Sequence, residues 1–265
     1  MTKAYFKAQL MRLLDNRLVT IWVIASVLIV AYHQLTTTIP RDSWNMMPTA
    51  YQAMIGFDFS SLSSLYYLIF PLVASLIGTF LLADDRSLQG HLFELTKLGQ
   101  KRYTLVNIGA AFVIGGSALV FPLVFDALLA LAREQGVVID SFNVSNQVIN
   151  SETAYFGQFL NHPLLFTFGY LSLFFIIAGM TAAITFLIFK LMKRRSLAIL
   201  IVFIGFLSEW LIGPLIGLAE ISPAIFLIPS QGYNAITPWL IALNLLALSG
   251  LLAFLFWQVV RTDDV

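Results

Sequence analysis

The chain has 265 residues, of which 59% are hydrophobic and only 11% charged, with a formal net charge of +1 and a mean hydropathy of +0.86. A soluble domain is about a quarter charged and could not hide this much apolar surface, so that class is excluded. Cysteine is absent, which removes disulfide frameworks, thiol nucleophiles and cysteine metal sites, and the small net charge points to no nucleic-acid partner.

A bilayer core of ~30 Å needs roughly 20 apolar residues from a helix. Six such runs occur: Val19 to Leu35, Leu62 to Ala83, Leu105 to Ala132, Leu164 to Leu191, Leu197 to Leu218 and Ile236 to Val260. The alternating ten-residue segments of a membrane barrel are absent. The expected fold is therefore an all-α polytopic membrane protein, one transmembrane domain over 1–265 with six transmembrane helices.

Residues 2–16 precede the first run. Tyr5, Phe6, Gln9, Leu10, Leu13 and Leu14 recur near helical spacing while Lys3, Lys7 and Arg12 take other angles. That pattern fits an amino-terminal interfacial helix, with a frayed basic tail as the alternative. After the first run come Tyr32, His33 and Gln34, not a small-residue cleavage site, so the run reads as a retained anchor. The loop over about 36–61 carries Trp44, Pro48 and Tyr51, its aromatic residues read as interface anchors. The segment 133–162 is too short for an independent soluble domain and reads as a lid or as a connector. Residues 219–237 are apolar yet broken by Pro223 and Pro229, with Pro238 following. Because proline breaks helices, short re-entrant half-helices in the outer leaflet are expected before the sixth span.

Basic residues set the orientation. Lys3, Lys7, Arg12 and Arg17 precede the first span, Arg86, Lys97, Lys101 and Arg102 join the second to the third, Lys190, Lys193, Arg194 and Arg195 the fourth to the fifth, and Arg261 ends the sixth. The other side has only Arg41 and Arg133. The positive-inside rule then puts both termini in the cytoplasm, as expected of a multi-pass protein of a bacterial inner membrane.

The cytoplasmic element at 84–104 is the longest strongly charged stretch. With Leu88 at zero and 100° per residue, Leu92, Leu95 and Gly99 fall within about 40°, while Arg86, Gln89, Gly90, Phe93 and Lys97 take the opposite side. Asp84 and Asp85 suit a helix start, and Lys97, Lys101, Arg102 and Gly99 suit its end. A short amphipathic helix is expected. Phe93, placed with the polar residues, is either an anchor for a partner's groove or an aromatic that dips into lipid.

Asp85, Gly90, Phe93-Glu94-Leu95 and Lys101-Arg102, followed by a long span, resemble the acidic-x4-Gly, Leu-Glu-Leu, Ser-Arg pattern between the second and third spans of type 2 ATP-binding-cassette (ABC) transporter permeases. In this chain Leu98-Gly99-Gln100 stands where the family often has a proline. The six-span layout, the amino-terminal helix and the proline-broken segment are similar too. The resemblance implies a permease subunit and an exporter, with peptides among the cargo such permeases handle, while the low polarity of the spans favours an amphipathic or lipid-like cargo. Its coupling helix, with Asp85, Gly90, Phe93, Glu94, Lys97 and Arg102 as coupling residues, would seat in a separate ATP-binding-cassette ATPase subunit. ATP and magnesium belong to that subunit; this chain has no Gly-x4-Gly-Lys-Ser/Thr loop, needs no cofactor and is expected not to be an enzyme. Two permease chains, as homodimer or heterodimer, and two ATPase chains make the working unit, surrounded by membrane lipids.

Inside the spans, Asp126 lies ~31 Å beyond Leu105 and reads as a solvated helix end. Glu209 lies ~18 Å beyond Leu197, and Gly213-Pro214-Leu215-Ile216-Gly217 follows, combining a kink with small residues four apart. Glu209, Gly213 and Gly217 are candidates for a pathway or a dimer interface, with a buried structural hydrogen bond as the alternative for Glu209. Asn107, Asn244 and Ser208 are expected to form interhelical hydrogen bonds. His33, His91 and His162 read as loop or interface residues without a catalytic constellation. Two other functions stay open: an ion-coupled secondary transporter using Glu209, and a non-transporting anchor that transmits ATP-driven motion to an extracytoplasmic partner.

Overall fold

A computed structural model describes residues 2–14, 17–37, 49–58, 60–87, 99–134, 139, 149, 151–231 and 236–262; at 2–4, 12–14, 18, 81–87, 231 and 262 it describes the backbone alone. The regular elements are helical throughout: α1 (Thr2–Leu14), α2 (Arg17–Thr36), α3 (Ser61–Ser87), α4 (Gln100–Arg133), α5 (Phe156–Asn161), α6 (Pro163–Met192), α7 (Arg195–Leu215), α8 (Pro223–Phe226) and α9 (Pro238–Thr262), with 3-10 turns at Ala50–Ala53, Ala219–Ile221 and Pro229–Gln231. Six of them, α2, α3, α4, α6, α7 and α9, are long and apolar enough to cross a membrane.

Local chemistry marks where these helices start and stop. Pro163 opens α6 and Pro223 opens α8, where a missing N–H costs nothing. The turn after α6 closes on Lys193 in the left-handed region, whose amide donates to Phe189 O, so only Lys193 and Arg194 separate α6 from α7. Pro71 and Pro122 lie inside α3 and α4, a position that neighbouring helices make tolerable in a membrane bundle.

The bundle is organised around α6, which packs on α3, α4, α7 and α9, while α2 and α1 pack on α4. Glycines let the inner helices meet, two of them at Ala182. A Cβ on Gly78 of α3 would stand 2.1 Å from the Ala182 carbonyl oxygen of α6, and one on Gly115 of α4 would stand 2.4 Å from the Ala182 Cβ. The helices touch backbone to backbone at this point, the contact that small residues permit between membrane helices. Above it the Phe174 ring sits among Tyr66, Tyr67 and Phe70, with centroids 6.1, 5.1 and 5.2 Å away.

The two ends differ. At one, α1 lies on α4 through Tyr5 and Tyr103, whose rings are 6.0 Å apart, and Lys190 Nζ of α6 donates to Thr104 Oγ1 of α4 at 2.8 Å. At the other, residues 49–58, α5 and the run from 219 to 230 fold over the helix ends as a cap. Tyr51 is buried there edge-on to Phe159 at 5.8 Å, not an interface anchor, because the loop turns back onto the bundle. Trp44 and Pro48 lie outside the described residues. The proline-broken segment forms α8 and its flanking 3-10 turns, tied to the cap by Ser230 N to Gly56 O at 3.1 Å and Thr153 Oγ1 to Pro229 O at 2.9 Å.

Candidate functional site

The cap closes over three ionisable side chains, of which sequence reasoning set aside His33 and Asp126 and did not single out Asp58. His33 lies in the last turn of α2, Asp126 two turns from the end of α4, and Asp58 just before α3; their exposures are 0%, 0% and 5%. His33 Nδ1 stands 2.8 Å from Asp126 Oδ1, and Nε2 stands 3.0 Å from Asp58 Oδ2. A neutral imidazole has one N–H and one lone pair, whereas imidazolium has two N–H groups. With a carboxylate on each side, the geometry is satisfied by the doubly protonated ring, which also offsets part of the buried negative charge.

Every other contact ties this cluster to a different piece of chain. Gln34 Nε2 donates to Asp126 Oδ1 at 2.8 Å and to Ala53 O at 3.1 Å, and the Ile55 amide donates to Asp126 Oδ2 at 2.7 Å. The Ser63 hydroxyl donates to Asp58 Oδ1, and the Ser230 hydroxyl donates to Asp58 O at 2.7 Å. At the rim, Arg133 Nη1 donates to Gln34 O at 2.7 Å, and Arg133 Nε pairs with Glu134 at 3.1 Å. Burial by itself would raise the Asp58 pKa; hydrogen bonds from His33, Ser60 and Ser63 and the charge of His33 outweigh it and hold this carboxyl below its ordinary value. The arrangement can hold a proton between two carboxylates and lock the cap to α2, α3 and α4.

Asp126 is therefore not a solvated helix end, and His33 is not an interface residue. Helix length put Asp126 at the right depth, but the folding of 49–58 over it removes the water. One signal was legible: a histidine three residues from one end of a span and an aspartate near the same end of another lie at one depth and carry opposite charge.

Of the residues singled out in sequence, Gly90, Phe93, Glu94, Lys97 and His91 lie outside the described residues, and Asp85 contributes only backbone to the end of α3. Arg102 is exposed in the first turn of α4, after Gly99 with φ +72°. Glu209 is exposed on α7 and makes no hydrogen bond or ion pair among the described residues. Gly213 and Gly217 do not share a helix face: Gly217, at φ +73°, lies past the end of α7, and the Leu218 amide donates back to Gly213 O at 2.8 Å. Within the chain the pair ends a helix. Among the described residues Asn107 forms no interhelical bond, both its amide atoms being buried without a partner there, and Ser208 donates to Gly205 O of its own helix at 2.7 Å. Asn244 does cross between elements, donating to Ile221 O at 3.1 Å. No family model, curated protein or solved structure matches the chain.

Proposed function

We propose that the chain is the permease subunit of an ABC transporter, an exporter in which a separate ATPase drives an amphipathic, lipid-like or peptide cargo across a bacterial inner membrane. The observation that carries this reading is the pattern from Asp85 to Arg102, held between the end of α3 and the start of α4. Lys101 and Arg102 are exposed at that end, as are Lys7, Arg17, Lys193 and Arg194. Such clustering supports a cytoplasmic assignment for this end and for both termini, the end at which an ATPase would bind. The cap then faces outward, with the α8 segment as a part of it. An unpaired Glu209 on an exposed span face is costly against lipid and supports a second permease chain or a pathway along α7. ATP and magnesium would reside in the ATPase subunit.

The test is purification of the chain from its native membrane with whatever accompanies it. The expected companion carries a phosphate-binding loop, and its vanadate-sensitive ATPase activity falls at least several-fold with Phe93→Ala. An unaccompanied chain with no associated ATPase overturns the reading. The buried His33 cluster favours a second reading, an ion-coupled secondary transporter. That reading requires cargo movement down a proton or sodium gradient in liposomes holding this chain alone.

A further inference from the structure

Between α6 and α9, below the cap, lies an open cleft of about 370 Å³. Its walls are two helix faces: Leu165, Gly169 and Leu173 recur every four residues on α6, and Pro238, Ile241, Ala242 and Leu245 recur at three and four residues on α9. Along the axis the α6 wall runs eight residue steps, ~12 Å at 1.5 Å per residue. One leaflet of a ~30 Å hydrocarbon core is ~15 Å deep, so the cleft extends over most of one leaflet.

The shaft and the mouth differ in chemistry. Small residues hollow the shaft: a Cβ on Gly169 would meet no atom within 4 Å, and Ala242 faces it from α9. Two polar side chains stand at the mouth, Tyr155 and Gln158, both exposed. Tyr155 adopts φ +61° immediately before α5, a conformation uncommon outside glycine, and Gln158 follows in the first turn of that helix. An apolar shaft one leaflet deep under a polar lip matches a molecule with a hydrocarbon tail and a polar head. A second protein helix would leave the polar lip of Tyr155 and Gln158 unmatched.

We infer that the α6/α9 cleft is a binding site for a membrane phospholipid from the leaflet at the capped end. One acyl chain lies against Gly169, Leu173, Ala242 and Leu245, and the headgroup meets Tyr155 and Gln158. The site does not depend on the permease reading, and lipid occupancy is measured without any ATPase.

The test uses the full chain in nanodiscs of phosphatidylethanolamine and phosphatidylglycerol doped with a phospholipid carrying a diazirine in its acyl chain. After illumination, labelled residues are mapped by mass spectrometry. Labelling of Leu173 and Leu245 should exceed that of Leu246 and Phe254, which are 72% and 53% exposed on other faces of α9, by at least threefold. Gly169→Trp fills the shaft and should abolish the excess, whereas Gly250→Trp, at another position where a Cβ meets nothing within 4 Å, should leave it intact. Tyr155→Phe with Gln158→Ala should reduce the excess while helix content and melting temperature hold. Equal labelling of cleft and outer residues would reduce the cleft to ordinary lipid contact and overturn the site. So would an excess that survives Gly169→Trp, or protein-to-protein crosslinks through Leu173 in place of lipid.

Discussion

The bundle has an inside and an outside among its own spans. In α3, α4 and α6, half or more of the membrane window is buried within the chain (50%, 50% and 61%), whereas in α2, α7 and α9 the share is 17%. All six are apolar, so hydrophobicity does not decide which helix lies inside. Glycines decide it: Gly78, Gly115, Gly116 and Gly179 lie where a Cβ would strike a neighbouring helix. In lipid the hydrophobic effect does not press helices together, and close van der Waals approach does. The outer helices are fixed by fewer and more polar devices: α2 is held at its end by His33 and by Trp22 Nε1 donating to Ala118 O at 2.7 Å.

That contrast can be broken most sharply at the cluster that ties the end of α2. His33→Ala leaves two buried carboxylates without their counter-charge and should cost about 3–5 kcal/mol, read as unfolding in mixed detergent micelles; a loss below ~1 kcal/mol would mean that the cap holds without the cluster. Acid should reproduce a part of this loss. Asp58 is held below its ordinary value of about 3.8, so its contribution is complete above that value and is lost as pH falls through the depressed one. Melting temperature should therefore drop on acidification below about 4, and Asp58→Asn should flatten that dependence. Among the inner helices, Gly78→Ala forces a methyl group onto the Ala182 carbonyl and should cost about 1–3 kcal/mol. The same change on the outer surface should reverse sign: Gly250→Ala on α9 meets open space and should gain up to ~1 kcal/mol from helix propensity. Equal effects at Gly78 and Gly250 would erase the distinction between inner and outer helices.

The spans were legible because a bilayer imposes a length and an apolar composition that any run such as Leu164 to Leu191 displays without reference to its neighbours; α6 is observed at Pro163–Met192. Which spans lie inside was not legible. The small residues noticed in sequence, Gly213 and Gly217, end a helix, while the contact at Ala182 joins glycines far apart in the chain. The candidate site was hidden for the same reason. Asp126 looked like any carboxylate near a helix end until residues 49–58, part of a loop whose aromatic residues read as interface anchors, were seen to fold over it. Asn107 shows the converse: sequence reads a polar group in a span as a bonded one, yet whether a partner faces it depends on the packing of other helices.

The cluster at His33 also sets a clock for biogenesis. His33 is made 25 residues ahead of Asp58 and 93 ahead of Asp126, and Ser230 follows Asp58 by 172. At ~5–20 residues per second, the first span waits roughly 5–20 seconds for the aspartate of the third, and the cap gains its Ser230 tie only when the chain has nearly reached the last span. Until then the first span's end carries an imidazole with an incomplete set of partners. The packing of the first span's end is thus completed only when the third arrives.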